Sequence, residues 1–173
     1  MRLEEIGLDS KYYDEIIALY KRSFPENERR DLTPILKDES DDDVLLGLID
    51  NDEVLGFVVL LNHNDIAHII YFAIEEKYRD HGYGSKIIQM IKERYPDKRI
   101  LADVEEPEED CDNIEQRIKR INFYLRNGFK KSDVYYEWLD EDYMIMVSNG
   151  DIDDKEFSDF WDYIYTKHTD FNY

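Results

Sequence analysis

Apolar positions along the 173 residues recur with two different periods, and each change of period marks an expected element. Near the start, Tyr13, Ile16, Ile17 and Tyr20 fall at i, i+3, i+4 and i+7, one face of a helix over Lys11–Ser23 with Asp9 or Ser10 as its cap. A short strand over 2–8 precedes it, and Phe24-Pro25 ends it. Leu32, Ile35 and Leu36 predict a second helical piece around Glu28–Lys37, against which Pro34 argues. The run 38–43, five acids and one serine, reads as a solvated connection.

Strand-like runs then take over. Val44–Ile49 and Val54–Leu61 bracket Asp50-Asn51-Asp52-Glu53, a hairpin signature, and Ala67–Ile74 is a third apolar run. Helical spacing returns with Ile87, Ile88 and Ile91 and stops near Pro96. Arg99–Val104 is then a strand reached after a helix, which predicts a parallel crossover. Residues 103–115 carry eight acids and no base and read as an exposed loop. Ile114, Ile118, Ile121 and Leu125 mark one face of a helix over Ile114–Asn127, with Gly128 where a terminating glycine belongs. Strands at Phe129–Leu139 and Tyr143–Val147 follow. A last helix over Asp153–His168 sets Phe157, Trp161, Ile164, Tyr165 and His168 along one side. This order predicts an α/β (mixed α+β) domain, in which helices flank a central, mixed but mostly antiparallel sheet, plus a C-terminal helix. Residues 1–150 form that domain and 151–173 an extension packed on it or used as a homodimer contact.

Charge narrows the partners. Asp and Glu number 42 against 22 Lys and Arg, a formal charge of -20. Such a field repels polyphosphate backbones and anionic lipid, so neither nucleic acid nor a membrane surface is expected as a partner. The longest apolar runs are eight residues, whereas a membrane span needs about 20. Met1–Glu5 carries no apolar signal core, and a cytoplasmic location is expected. One cysteine, Cys111 between Asp110 and Asp112, allows no internal disulfide and has neighbours that disfavour a thiolate. His63 and His68 lie five apart, on opposite faces of a strand, and no His/Cys cluster has metal-ligand spacing.

Candidate chemistry begins between the third apolar run and the helix that follows. In Arg79-Asp80-His81-Gly82-Tyr83-Gly84-Ser85 the backbone amides can converge on one point at a positive helix end, with Gly82 and Gly84 permitting close approach or positive φ. A diphosphate suits such a cradle; a plain tight turn is the alternative. No Gly-Lys-Ser/Thr is present, and the third glycine of a dinucleotide fingerprint would fall at Ile87. About forty residues on, Tyr124 to Phe129 (Tyr-Leu-Arg-Asn-Gly-Phe) ends a helix and starts a strand.

The two segments together resemble the motifs of the GNAT superfamily of acyl-CoA-dependent N-acyltransferases: Arg/Gln-x-x-Gly-x-Gly/Ala at Arg79–Gly84 and Tyr-x-x-x-Gly-Phe at Tyr124–Phe129. The resemblance spans roughly residues 2–148. Phe24-Pro25-Glu26-Asn27-Glu28-Arg29-Arg30 and Val104-Glu105-Glu106-Pro107-Glu108 are similar to a bacterial-type branch whose acceptors are uncharacterised. Members often carry an asparagine seven residues before the tyrosine; here that position is Arg117, which could reach a phosphate instead.

The resemblance implies acetyl-CoA as co-substrate, with no metal. Parallel strands ending near Ile74 and Val104 should splay, so that Phe72, Ala73 and Ile74 pair with the pantetheine arm. The cradle Arg79, Asp80, His81, Gly82, Tyr83, Gly84 and Ser85 would hold the diphosphate. The acceptor is a small-molecule or peptide amine. A lysine-like amine of pKa about 10.4 costs roughly 4–5 kcal/mol to deprotonate at neutral pH, so a base is useful. Tyr124 is the family's usual proton donor to the departing sulfur. Passing a proton from a phenol of pKa about 10 to a thiolate of about 8.5 is uphill by about 2 kcal/mol, which favours a hydrogen bond over full transfer. Glu105 is the chosen base, a water relay the alternative, and Glu28, Glu105 and Glu106 face the acceptor. The rival to an N-acetyltransferase is a non-catalytic CoA-binding or acidic interaction module.

Overall fold

Turn chemistry sets the centre of the molecule. The computed structural model describes residues 1–37, 42–107 and 111–169. Asn51 and Asp52 both take left-handed backbone angles (φ 48° and 63°), the two-residue turn whose twist suits a hairpin. It joins β2 (Val44–Asp50) to β3 (Glu53–His63), and Asn64, also left-handed at φ 50°, helps turn β3 into β4 (Ile66–Ile74). The strand β1 (Arg2–Glu5) pairs with β2. After the helix α3 (Tyr83–Arg94) the chain enters β5 (Arg99–Glu105), the parallel neighbour of β4. The helix α4 (Ile114–Arg126) leads to β6 (Lys130–Trp138) and β7 (Glu141–Ser148). The seven strands run β1-β2-β3-β4-β5-β7-β6, antiparallel everywhere except β4–β5. The predicted crossover and mixed, mostly antiparallel sheet are therefore present.

Alternating side chains divide the core into two layers. On one face Phe57, Val59, Tyr71, Leu101 and Ile145 meet α1 (Tyr13–Ser23), α2 (Thr33–Leu36) and α5 (Asp154–Lys167). On the other, Val58, Ile69, Ala102 and Met144 meet α3 and α4. A capping box fixes the start of α5: Glu156 N–H donates to Asp153 Oδ1 at 2.8 Å, while Asp153 N–H donates to Glu156 Oε2 at 3.2 Å. Among the described residues no helix is long and apolar enough to cross a membrane.

Several expectations shift. The helix expected at Glu28–Lys37 is a 3₁₀ turn (Glu26–Glu28), an extended stretch and the single turn α2, because Pro34 sits at the start of a helix and not within one. The first strand stops at Glu5, and α1 begins at Tyr13, where Ser10 Oγ accepts only the Tyr12 N–H. On α4 the buried stripe is Arg117, Ile121 and Tyr124, whereas Ile118 and Leu125 are each 43% exposed. Reading every isoleucine as core rotated that face. Asp103 and Glu105 belong to β5, not to a loop. The acidic stretches at 38–41 and 108–110 lie outside the described residues.

Candidate active site

Residues Ile66–Ile69 pair with Arg99–Ala102, and there the parallel ladder between β4 and β5 ends. Both strands continue, to Ile74 and Glu105, held only by their outer neighbours β3 and β7. At the parting point β4 carries an extra residue: Leu60 pairs with Ile69 and Val59 with Tyr71, leaving Ile70 as a bulge. A bulge re-aims the strand and raises its twist, which opens the sheet on one side. The fork opens earlier than the ends of the strands, where the sequence had placed it. Its cleft, about 690 Å³, reaches through the sheet, with Phe72, Ala73 and Ile74 on one wall and Asp103 and Glu105 on the other.

On the α3 side the cleft meets the start of a helix. Gly82 takes φ 81° and precedes Tyr83, and the first helical bond runs from Lys86 N–H to the Gly82 carbonyl at 3.1 Å. Tyr83, Gly84 and Ser85 therefore offer backbone N–H groups with no acceptor inside the helix, beside the positive end of its dipole. The two glycines differ in purpose. A Cβ on Gly82 would meet nothing within 4 Å, so what matters there is the left-handed backbone. Gly84 has no positive φ; a Cβ on it would lie 3.1 Å from the Phe123 ring. Arg79 anchors the loop by donating from Nε to the Ile74 carbonyl at 3.2 Å.

The helix α4 closes this half. Its end is a left-handed stop: Gly128 (φ 78°) donates its N–H to the Leu125 carbonyl, and Phe129 donates to the Tyr124 carbonyl, both at 3.1 Å. The Tyr124 and Phe129 rings meet at 5.1 Å. The Tyr-x-x-x-Gly-Phe segment is thus a helix terminator that fixes Tyr124, whose ring borders the cleft. Lys92 of α3 donates to the Asn127 carbonyl at 2.6 Å and ties the two helices together. Burial pushes the Tyr124 phenol well above its usual pKa, Asp103 adds to that, and Arg120 opposes it.

The opposite mouth is acidic and aromatic. Tyr71 donates its hydroxyl to the Glu28 carbonyl at 2.7 Å, and Arg30 N–H donates to the Tyr20 hydroxyl at 2.9 Å, so the strap 28–30 is pinned to the sheet. Glu28 lines the cleft with no ion pair among the described residues. Burial, then the charge of Glu105, raise its pKa above the usual carboxylate value, with Arg120 opposing. Tyr136 stacks on Tyr143 at 5.2 Å, and the Arg30 guanidinium lies 5.1 Å from the Trp138 ring.

The sequence places this cleft in a known family. The acetyltransferase (GNAT) family matches residues 13–129. The chain belongs to the GNAT family of acetyltransferases. Solved structures share the fold. One, a Bacteroides thetaiotaomicron protein assigned to the GNAT family as an acetyltransferase, is 24% identical with a TM-score of 0.75, covering 98% of each chain. The aminoglycoside 6'-N-acetyltransferase from Enterococcus faecium is 13% identical with a TM-score of 0.65, covering 86% of this chain and 96% of its own. A GNAT acetyltransferase from Elizabethkingia anophelis, solved with acetyl-CoA bound, is 13% identical with a TM-score of 0.56, covering 85% and 96%. No curated protein sequence matches.

In this GNAT acetyltransferase the cleft wall carries Phe72, Ala73, Ile74, Arg79, Asp80, Gly82, Tyr83, Gly84, Ser85, Tyr124, Glu28 and Glu105. Three named residues stand apart. His81 is exposed, with Nδ1 against the Arg79 carbonyl at 2.5 Å. Glu106 only leads away from β5, its N–H on the Asp142 carbonyl at 2.9 Å. Arg117 is 6% exposed and occupied: it donates to Glu141 at 2.7 Å, to the Glu106 carbonyl at 2.7 Å and to Asn113 at 2.8 Å, and lies 3.4 Å from Glu105. Its guanidinium is spent on fixing Glu105 and the β7 end. The sequence reading missed Gln116, Lys119, Arg120, Phe123 and Arg126, which line the cleft from α4. Their spacing of three, one, three and three is one helix face ending beside Tyr124, a signal present in the sequence but overshadowed by the isoleucines. It also missed Asp103, Tyr136, Trp138 and Tyr143. Among the described residues no His, Cys, Asp and Glu group is placed to hold a metal.

Proposed function

We propose that the protein transfers acetyl from acetyl-CoA directly to an amine, with the cofactor on the α3–α4 side of the fork and the acceptor on the α1–α5 side. The observation that carries this reading is the β4–β5 ladder stopping at Ile69 and Ala102 beside the unpaired amides of Tyr83, Gly84 and Ser85. Extended pantetheine supplies amides that can pair with the freed edge at Phe72–Ile74, and the diphosphate suits the helix start. Lys119, Arg120 and Arg126 offset, locally, the -20 charge that would otherwise repel CoA.

Tyr124 keeps its proton at working pH, so it hydrogen-bonds the developing thiolate and does not protonate it outright. Glu28, without an ion pair among the described residues and with a raised pKa, suits the role of base better than Glu105, whose carboxylate faces Arg117. Glu105 keeps Glu28 basic and helps draw a cationic acceptor. Calorimetry with acetyl-CoA, followed by a thiol-release assay over an amine panel, tests the reading. Tyr124→Phe should lower turnover about tenfold or more and leave CoA affinity unchanged. Equal turnover in the two proteins would remove Tyr124 from the mechanism.

A further inference from the structure

The bulge at Ile70 opens the fork, and it also changes the face to which β4 points. Ile69, opposite Leu60, belongs to the core layer against α3 and α4, whereas Tyr71, opposite Val59, belongs to the layer against α1 and α5. Residues two apart on a regular strand share a face, so without the extra residue Tyr71 would point to the α3–α4 side. The bulge turns it to the α1–α5 side, where it is 4% exposed. There its ring meets Tyr20 edge-on at 4.8 Å and Phe24 at 4.9 Å.

The Tyr71 hydroxyl lands on a segment that no ladder holds. Residues 29–32 lie outside any helix or strand, and the Glu28 and Arg29 N–H groups reach back to the Pro25 and Glu26 carbonyls. Buried backbone groups need partners, and here side chains supply them. Tyr71 donates to the Glu28 carbonyl at 2.7 Å and accepts from the Arg30 N–H at 3.1 Å. Tyr20 shares that N–H at 2.9 Å and donates to the Arg30 carbonyl at 3.2 Å. Both tyrosines hold Arg30, but of the two only Tyr71 reaches the Glu28 carbonyl, and so fixes where the Glu28 side chain leaves the backbone. Glu105 of β5, Glu141 and Tyr143 of β7 and Arg120 of α4 interact with the Glu28 carboxyl, and Asp103 and Arg30 line the same cleft. Burial and then Glu105 raise the Glu28 pKa while Arg120 opposes, so that pKa reports where the carboxyl sits.

We propose that Tyr71 is the positioning residue for Glu28, and that one bulge in β4 therefore sets both the gap for the cofactor and the place of the base. This rests on the reading of Glu28 as the base in acetyl transfer. The test is carbon-13 NMR of the Glu28 side-chain carboxyl, followed against pH in the ligand-free protein. Tyr71→Phe keeps the ring and removes the hydroxyl. The Glu28 pKa should then fall towards the ordinary carboxylate value, because the released segment carries its carboxyl out to solvent and away from Glu105. The Arg30 amide should exchange about fivefold faster in the same variant. Tyr20→Phe should speed that amide as well, yet leave the Glu28 pKa at its wild-type value. A Glu28 titration identical in wild type and Tyr71→Phe, or an equal fall in the two variants, would overturn the proposal. Should Tyr71→Phe not fold, Tyr20→Phe decides alone: an unchanged Glu28 pKa supports the assignment to Tyr71, and a lowered one overturns it. Failure of CoA to bind by calorimetry, or full turnover in Glu28→Gln, would instead strike the acetyl-transfer reading beneath it, with the Tyr71 contact still seen in the titration.

Discussion

The edge of the Phe123 ring occupies the space that a side chain at Gly84 would need, with Cε2 3.1 Å and Cζ 3.3 Å from a Cβ built there. Phe123 also packs 5.9 Å from Phe72 on the fork wall. The second glycine of the loop therefore lets α4 come close to α3, a packing role the sequence alone assigned to the cofactor. Gly84→Ala should cost about 1–3 kcal/mol in urea unfolding. Phe123→Leu in the same chain should recover part of it, with a coupling of at least about 0.5 kcal/mol. Additive losses would contradict the contact.

Gly128 is held by its backbone. Its φ of 78° costs a residue with a Cβ about 1–2 kcal/mol, and the nearest obstacle, Lys92 Nζ at 3.1 Å, can swing away. Gly128→Ala should lower stability by that amount. Turnover should fall with it, because the same stop fixes Tyr124. Gly128→Asn, which tolerates the left-handed region better, should lose less. Matching losses in the two variants would argue against a conformational cause.

If Glu28 is the base, as proposed, it gives the activity a pH dependence. Burial and the neighbouring Glu105 raise its pKa, so its basic form is lost, as pH falls, earlier than for an ordinary carboxylate. The acceptor's own ionisation also slopes the profile, so the informative quantity is the ratio of wild type to Glu28→Gln. That ratio should be about tenfold or more at neutral pH and decline towards one as pH drops through the Glu28 pKa. A ratio independent of pH would leave Glu28 as a binding group only.

Much of this was legible in the sequence because the signals were local. The hairpin at Asn51-Asp52, the helix stop at Gly128 and the apolar side of the last helix each depend on residues near one another in the chain. The fork was legible only in outline, because a bulge at Ile70 depends on register against β3, which no local pattern encodes. Tyr71 reads as one more apolar strand residue until that bulge sets it against Glu28 and Arg30. Arg117 shows the converse error: its place in a motif suggested phosphate, but its actual neighbours are carboxylates.

The basic face of α4 carries the electrostatic part of the account. Lys119→Ala, Arg120→Ala and Arg126→Ala should each weaken CoA binding by up to about fivefold and flatten its dependence on salt. Unchanged affinity and salt dependence in all three would mean that the phosphates lie elsewhere.

The central claim is that coenzyme A enters the gap between β4 and β5 and rests on the start of α3. Amide hydrogen exchange, with and without saturating acetyl-CoA, measures this most directly. Exchange should slow at Tyr83, Gly84 and Ser85 and along Phe72–Ile74, with little change at β1 or α1. Binding that leaves those amides unprotected, or protects a different surface, would contradict the account.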